Sequence, residues 1–249
     1  MSEVTNADII RAYSTIPQSA IENFGNQGDF TRRHLLNPVI FDLLDAVEGR
    51  VILDAGCGQG YLCRLLAAQG ATVLGVEPSE AFFAYAMRRE QAERRGITYI
   101  QADLSTWIPP VDTCDVAILN MVLMDIPDYT PALVACVAAL KPGGVLIVSL
   151  IHPCFEEAGE AWRSKGYVET RDYFQERAIA QTYGYFIHRP LGTYLNSIIT
   201  AGCTLSHVIE PQLDRTVAER HGAERYWSVP GYLVIAATRL PVAVSSPRN

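Results

Sequence analysis

Val51-Ile-Leu-Asp-Ala-Gly-Cys-Gly-Gln-Gly60 decides how this chain is read. Three apolar residues make a short strand, Asp54 closes its carboxyl end, and Gly56, Gly58 and Gly60 feed a helix that starts near Tyr61. Glycines lack Cβ, so the backbone bends sharply and approaches a ligand closely, while the helix behind presents unpaired N–H groups. Strand, glycine turn and helix form a nucleotide-type site. Dinucleotide enzymes seat a pyrophosphate on such a turn, with the spacing G-x-G-x-x-G. The spacing here is G-x-G-x-G, and Asp54 lies directly before the turn, where a carboxylate repels a phosphate. An acid at that point suits a ligand with a cationic end.

Asp54-Ala-Gly-Cys-Gly-Gln-Gly60 resembles the first motif of the class I S-adenosylmethionine-dependent methyltransferases, and three later stretches fall where that family would place them. Thr72 to Val76 is a second apolar strand ending in Glu77, about 20 residues beyond the glycines, where an acid accepts from both ribose hydroxyls. Tyr99-Ile-Gln-Ala-Asp103-Leu104 ends a third strand, where the resemblance implies an acid that accepts from the adenine amino group. Cys114 to Asn120 is a fourth, running into Met121-Val-Leu-Met-Asp125, which is similar to the family's post-strand motif. The resemblance thus implies S-adenosyl-L-methionine as cofactor and S-adenosyl-L-homocysteine as product. It also implies Asp54, Gly56, Gly58, Glu77, Pro78, Asp103, Leu104 and Asn120 as cofactor-binding residues.

Outward from these motifs, strands alternate with capped helices up to a strand at Val145 to Leu150. Strands with no polar period are buried on both faces, which argues for a parallel sheet covered by helices on either side. Ligands of such sheets sit beyond the carboxyl ends of the strands, so Asp54, Glu77, Asp103 and Asn120 should converge on one crevice. The expected fold is α/β: a Rossmann-like, seven-stranded, mostly parallel sheet in a single domain over residues 1–240. The resemblance adds that the last strand, Gly231 to Thr238, inserts antiparallel beside the sixth. Residues 1–48 form an amino-terminal helical cap, 49–151 the cofactor-binding core, 152–189 an insert and 190–240 the rest of the sheet. The stretch 210–229 reads as loop, and 241–249 as a flexible tail.

In the cap, Asn6 to Ile16 is a helix stopped by Pro17. A second helix opens at Gly28-Asp-Phe-Thr31 and repeats apolar residues at Leu35, Leu36, Val39, Ile40, Leu43, Leu44 and Val47 until Gly49 ends it. The resemblance implies that this segment folds over the cofactor. An arginine at its entry would pair with the methionine carboxylate, because a guanidinium forms bidentate bonds that lysine cannot. Arg33 is favoured for this over Arg32. Tyr13 either closes over the methionine part or packs on the core with a wet hydroxyl.

The insert from His152 to about Arg189 opens as a loop and then carries seven aromatics (Trp162, Tyr167, Tyr173, Phe174, Tyr183, Tyr185 and Phe186) with little periodicity, too long for a plain loop. The resemblance implies a substrate lid; a hairpin packed for stability is the alternative. His152 follows the fifth strand and is the first candidate for a general base, histidine being the side chain that changes charge near neutral pH; a hydrogen-bonded histidine beside Pro153 is the alternative. His188 is the second catalytic candidate, at a helix entry next to Arg189, with a capping contact as its alternative. Asp125 is either polar machinery or part of an Asp-Ile-Pro-Asp turn. Arg189 or Arg163 would favour a carboxylate-bearing acceptor, the aromatics an aromatic or lipophilic one. O-methylation of a small metabolite by in-line displacement is expected, with N-methylation of a small molecule or peptide next. The absence of proline and tyrosine after Asn120 disfavours methylation of nucleobase amines or glutamine amides.

A formal charge of −7 over 249 residues gives no electrostatic reason for a polyanionic partner. Arg88 to Arg95 mixes signs at helical spacing and reads as a solvated face rather than a nucleic-acid patch. Six cysteines without a C-x-x-C pair read as reduced core residues, and no metal site is expected. No apolar run reaches the ~18–20 residues of a membrane span, and the amino terminus has no signal pattern. A cytoplasmic monomer or homodimer is expected, acting on a small molecule with neither nucleic acid nor membrane as partner. The rival classes are a nicotinamide-dependent oxidoreductase and a non-catalytic S-adenosylmethionine-binding protein.

Overall fold

The computed structural model describes residues 4–156, 162 and 164–241. Arg163 and residues 242–249 of the expected tail lie outside them. The central strands are β1 (Val51–Ala55), β2 (Thr72–Val76), β3 (Thr98–Ile100), β4 (Cys114–Asn120) and β5 (Leu140–Ile151), joined late in the chain by β8 (Cys203–Ile209) and β9 (Tyr232–Arg239). They form one seven-stranded sheet in the order β3-β2-β1-β4-β5-β9-β8. All neighbours from β3 to β5 are parallel, and β9 runs antiparallel to both β5 and β8. The strand order reverses between β1 and β4, so a crevice opens at the carboxyl ends of these two, where Asp54 and Asn120 lie.

Alternate residues of β1 face opposite layers, which explains the missing polar period. Ile52 packs in a core with Leu36, with Ile40 and Leu44 of α3 (Asn37–Leu44) and with Leu62 and Leu66 of α4 (Tyr61–Ala68). Leu53 and Ala55 pack on the other face with Leu133 and Val137 of α6 (Thr130–Ala139). At roughly 1.5–3 kcal/mol for each fully buried Leu or Ile, such contacts hold eight-residue helices that would not persist alone.

The amino-terminal cap departs from the expected pattern in one informative way. Instead of one continuous helix, a π-helical turn at Arg32–Leu36 precedes α3. Pro38 is the reason: it lacks an N–H and its ring would strike the carbonyl four residues back in an α-helix. The turn widens by one residue, Asn37 N–H reaches the Arg32 carbonyl, and Pro38 falls in the first turn of α3. Earlier in the cap, α1 (Asn6–Ser14) is closed by a capping box in which Thr5 and Asp8 satisfy each other's backbone, and α2 (Gln18–Glu22) occupies part of the expected loop. α1 lies against α5 (Glu80–Glu93), and the Glu80 N–H donates to the Ser14 hydroxyl at 3.2 Å.

The insert contains a two-stranded antiparallel hairpin, β6 (Arg177–Ala180) and β7 (Tyr185–His188), with Phe186 buried in the core shared by β4, β5 and α6. α8 (Arg215–His221) falls in the stretch that the polar composition of 210–229 assigns to loop, and α7 (Leu191–Thr200) precedes it after the hairpin. Its signals were present: the Asp214 carboxylate caps Thr216 and Val217, Gly222 stops it at φ 61°, and buried Ala218 packs with Leu213 and Leu35. No helix among the described residues is long and apolar enough to cross a membrane.

Candidate active site

The glycine turn is stitched to the end of β2. Gly56 and Cys57 both donate to the Val76 carbonyl, at 2.7 and 3.0 Å, and Gly60 donates to the Cys57 carbonyl at 3.0 Å. Gly56 has φ 73°, and a Cβ there would lie 2.6 Å from Val122 Cγ2, so only glycine lets β1 approach the segment after β4. Gly58, at φ 55°, is different: a Cβ there would meet nothing within 4 Å, because the turn faces open space.

Glu77 fixes that turn from the next strand. Its Oε2 accepts from Gly58 N at 2.8 Å and its Oε1 from Ser79 N at 2.9 Å, so one carboxylate ties the glycine loop to the start of α5. Asp54 is 2% exposed and accepts from the Cys63 thiol at 3.1 Å. Asp103 accepts from both the N–H and the hydroxyl of Ser105 on the same oxygen, Oδ1, at 2.9 and 2.7 Å. Asn120 belongs to a buried chain of polar groups. Its amide donates to the Tyr61 hydroxyl at 2.7 Å, Tyr61 donates to Asn37 at 3.0 Å, and Ser149 donates to the Asn120 oxygen at 2.7 Å. With both amide atoms taken, the Asn120 side chain is a strut between β4, β5, α3 and α4.

These groups line one cavity together with Gly56, Gly58, Pro78 and Leu104. Tyr13 also lines it, with Asn6, Ile9 and Ile10 of α1. The Tyr13 hydroxyl donates to Asp125 Oδ2 at 2.8 Å, and Asp125 is another lining residue. Phe24 and Phe82 make an aromatic wall, rings 5.9 Å apart and edge-on, with the Arg32 guanidinium 5.4 Å over Phe24.

The arginine in the cavity is Arg32; Arg33, favoured from sequence, does not line it. The sequence reading assumed a regular helix, whereas the π-helical turn shifts the phase by about a residue. Asp29 then locks Arg32 through its backbone N–H at 2.9 Å and its guanidinium at 2.5 Å. His152 and His188 likewise fall outside the cavity lining. His152 Nδ1 accepts from Cys154 N at 3.2 Å, so its Nε2 carries the proton and donates to Glu210 at 2.8 Å. The ring nitrogens of His188 are engaged by the Tyr173 carbonyl at 2.8 Å and the Glu156 carboxylate at 2.6 Å. His152 thus has the hydrogen-bonded surroundings of its alternative reading, whereas His188 ends β7 and pairs with Tyr173 and Glu156 instead of capping the helix that follows. The sequence also passed over Phe24, Gln59, Tyr61 and Val122 as lining residues.

Burial sets the electrostatics. It raises Asp54 from 3.8 to about 6, only partly offset by the Cys63 thiol. It raises Glu77 to about 7 against the two N–H groups that favour its charge, and Asp125 to about 7 against Tyr13 and Arg32. Two buried acids and the half-buried Asp125 thus face one arginine that already has a partner in Asp29. The cavity is short of positive charge. A raised carboxyl costs stability only where it is ionised, from above its unfolded value, and the cost is complete once pH exceeds the folded value. For Asp54 that is on the order of 3 kcal/mol at neutral pH. Asp54→Asn is therefore expected to raise the melting temperature of the ligand-free protein at pH 8 and to leave it nearly unchanged at pH 4, as read by thermal denaturation at both pH values.

A family model described as a methyltransferase domain matches residues 53–148, the glycine turn through β5. The ubiquinone biosynthesis O-methyltransferase of Coxiella burnetii is 32% identical over 126 residues, covering 49% of this chain and 54% of that protein. The chain thus spans about half the length of the curated relatives it matches. The crystal structure of an S-adenosylmethionine dependent methyltransferase from Mesorhizobium loti superposes with a TM-score of 0.74 and 30% identity, over 86% of this chain and 100% of that one. Magnesium protoporphyrin IX methyltransferase from Synechocystis, at 16% identity and a TM-score of 0.63 over 94% and 99% of the two chains, shares the fold. With four motifs in order on a seven-stranded sheet, a glycine turn flanked by acids, and a relative matched over its whole length, the chain belongs to the class I S-adenosylmethionine-dependent methyltransferases.

Proposed function

We propose that this chain transfers the methyl group of S-adenosyl-L-methionine to a small-molecule acceptor, with oxygen as the acceptor atom. One observation carries the reading: the acids Asp54, Glu77 and Asp103 border one cavity that contains a bare glycine turn and too little positive charge. A cofactor with a sulfonium and an ammonium supplies that charge; a pyrophosphate would add to the repulsion, which disfavours a nicotinamide cofactor.

In this reading Glu77 accepts from the ribose hydroxyls with the lone pairs left after Gly58 and Ser79. Asp103 Oδ2 takes the adenine amino group, Leu104, Pro78 and Phe82 flank the ring, and Gly58 lets the backbone come close. Asp54 faces the ammonium end and Arg32 the carboxylate, taking the role first given to Arg33. Tyr13 and the rest of α1 cover the methionine end, and Asn120 holds Tyr61 and the turn after β4 in place. When bound, the sulfonium supplies an activated methyl with a good leaving group. What remains for the protein is alignment, exclusion of water by α1, and an acceptor for the proton that the substrate loses.

The division of the domain belongs to the same proposal: 1–48 as cap, 49–151 as cofactor core, 152–189 as an element supporting the acceptor side, and 190–240 completing the sheet. So does a cytoplasmic setting, consistent with six free cysteines. A nucleic-acid substrate is disfavoured because Arg89 and Arg95 both pair with Glu93.

The test is incubation with methyl-labelled S-adenosylmethionine and a panel of phenols, alcohols and amines, with product read by mass spectrometry. Labelled methyl ethers are the expected result; tight cofactor binding without any labelled product would mark a non-catalytic binding protein. Since Asp54 and Glu77 must be ionised to meet a cation, cofactor affinity is expected to rise about tenfold or more between pH 5.5 and pH 8. Calorimetry at the two pH values reads this directly, and an affinity that does not change would contradict the assigned roles.

A further inference from the structure

We infer that Asp125, held by Tyr13, takes the proton of the methyl acceptor, and that the site consequently accepts hydroxyl or amine groups and rejects carboxylates. The inference rests on the methyl-transfer reading above. Asp125 ends a 3-10 turn, Leu123–Asp125, immediately beyond β4, and it lines the cavity on the side roofed by α1. One carboxylate oxygen, Oδ2, is occupied by the Tyr13 hydroxyl at 2.8 Å; Oδ1 is left to meet a ligand. The neighbouring walls, Ile9, Ile10, Val122 and Ile126, are apolar, so a proton released there has no solvated competitor for Asp125.

The charges around Asp125 decide the class of acceptor. The groups that act on it are Tyr13 from α1, Arg32 from the π-helical turn, Tyr194 from α7 and, across the cavity, Glu77 at the end of β2. Arg32 is the single cation among the described lining residues and is bound to Asp29. Arg189, the sequence candidate for an anion holder, is committed elsewhere. It is 2% exposed, donates to the carbonyls of Leu123, Ile126 and Pro127 at 3.4, 3.1 and 2.5 Å, meets Glu176 at 2.8 Å, and lies 4.7 Å over the Tyr129 ring. Arg189 is thus a positioning residue: it clamps the backbone on both sides of Asp125 and holds no substrate. A carboxylate acceptor would face Asp125 and Glu77 with no counter-charge, at a like-charge cost.

The chemistry balances with a hydroxyl. A lone pair of the acceptor oxygen forms the C–O bond to the methyl carbon as the C–S bond breaks, its electron pair staying on sulfur. The O–H proton passes to Asp125, leaving an ether, a thioether and a neutral carboxyl. Burial raises Asp125 to about 7, so at neutral pH it is partly ionised and basic enough to receive that proton.

The test uses full-length protein with S-adenosylmethionine and three sets of acceptors: phenols of graded acidity, primary amines and benzoate. Asp125→Asn is expected to bind S-adenosylhomocysteine within about twofold of wild type yet to lose roughly 100-fold or more in methyl transfer to weakly acidic phenols. The loss should shrink as the phenol becomes more acidic or the pH rises, because a phenolate needs no base. Tyr13→Phe removes a hydrogen bond that favours the ionised carboxylate, so the acidic limb of its rate profile should move to higher pH, a shift that loss of packing alone would not produce. Benzoate methylated as fast as the phenols, an Asp125→Asn enzyme as fast as wild type at pH 7, or a loss independent of phenol acidity would each overturn the inference. Failure of wild type to bind S-adenosylhomocysteine would instead overturn the reading beneath it.

Discussion

Glu77→Ala is expected to abolish measurable binding of S-adenosylmethionine while moving the melting temperature of the ligand-free protein little. The carboxylate does two things at once: it anchors the N–H groups of Gly58 and Ser79 and presents its remaining lone pairs to the ribose. Each charge-assisted bond to a hydroxyl contributes about 1.5–3 kcal/mol, so losing two weakens binding by at least about 100-fold. Stability changes less because two effects oppose. The anchors are lost, and so is a buried acid that desolvation pushes up to about 7. Glu77→Gln is not a mild version. Both backbone partners are donors, and a carboxamide has only one acceptor atom, so its NH₂ would confront either Gly58 N–H or Ser79 N–H. Calorimetry and thermal denaturation of the two variants read the effects separately; a Glu77→Gln variant that binds like wild type would exclude this double role.

Arg189→Met carries the largest expected loss of stability. The substitution keeps the apolar stem but removes every donor, leaving the part-buried carbonyls of Ile126 and Pro127 without their partner and that of Leu123 with only the Ile126 N–H. Truncating one side of a buried charged network costs about 3–5 kcal/mol, a large part of an ordinary domain's stability. Glu176→Gln is the control. Its side chain is 56% exposed, so that pair should contribute less than about 1 kcal/mol. Urea denaturation with the midpoint moving strongly for Arg189→Met and little for Glu176→Gln is the expected pattern. Equal shifts would mean that the surface pair, not the carbonyl clamp, is what matters.

The parts of the site that rest on backbone chemistry were legible in the sequence. A strand, an acid and a glycine turn permit few conformations, and Asp54, Gly56, Gly58, Glu77, Asp103 and Asn120 follow at strand ends whose positions hydrophobic runs define. What escaped was set by register and by contacts between distant segments. Choosing between Arg32 and Arg33 required knowing that Pro38 widens the preceding turn, a one-residue effect that apolar periodicity does not register. His152 and His188 have the chemistry of a base, but their surroundings come from Glu210, Glu156 and Tyr173, 58, 32 and 15 residues away. Asp125 reads from sequence as either polar machinery or part of a turn, and its contact with Tyr13, 112 residues away, is a long-range one that no local pattern marks. Polar composition hid α8, although its Asp214 cap and Gly222 stop were both in plain view.

The most direct test of the central claim is calorimetric titration of the full-length protein at pH 8 with S-adenosylmethionine, S-adenosylhomocysteine and NADH in parallel. Micromolar binding of both sulfur compounds, lost in Glu77→Ala, with no heat from NADH, is the expected result. Binding of NADH, or of neither sulfur compound, would contradict the assignment of the cavity.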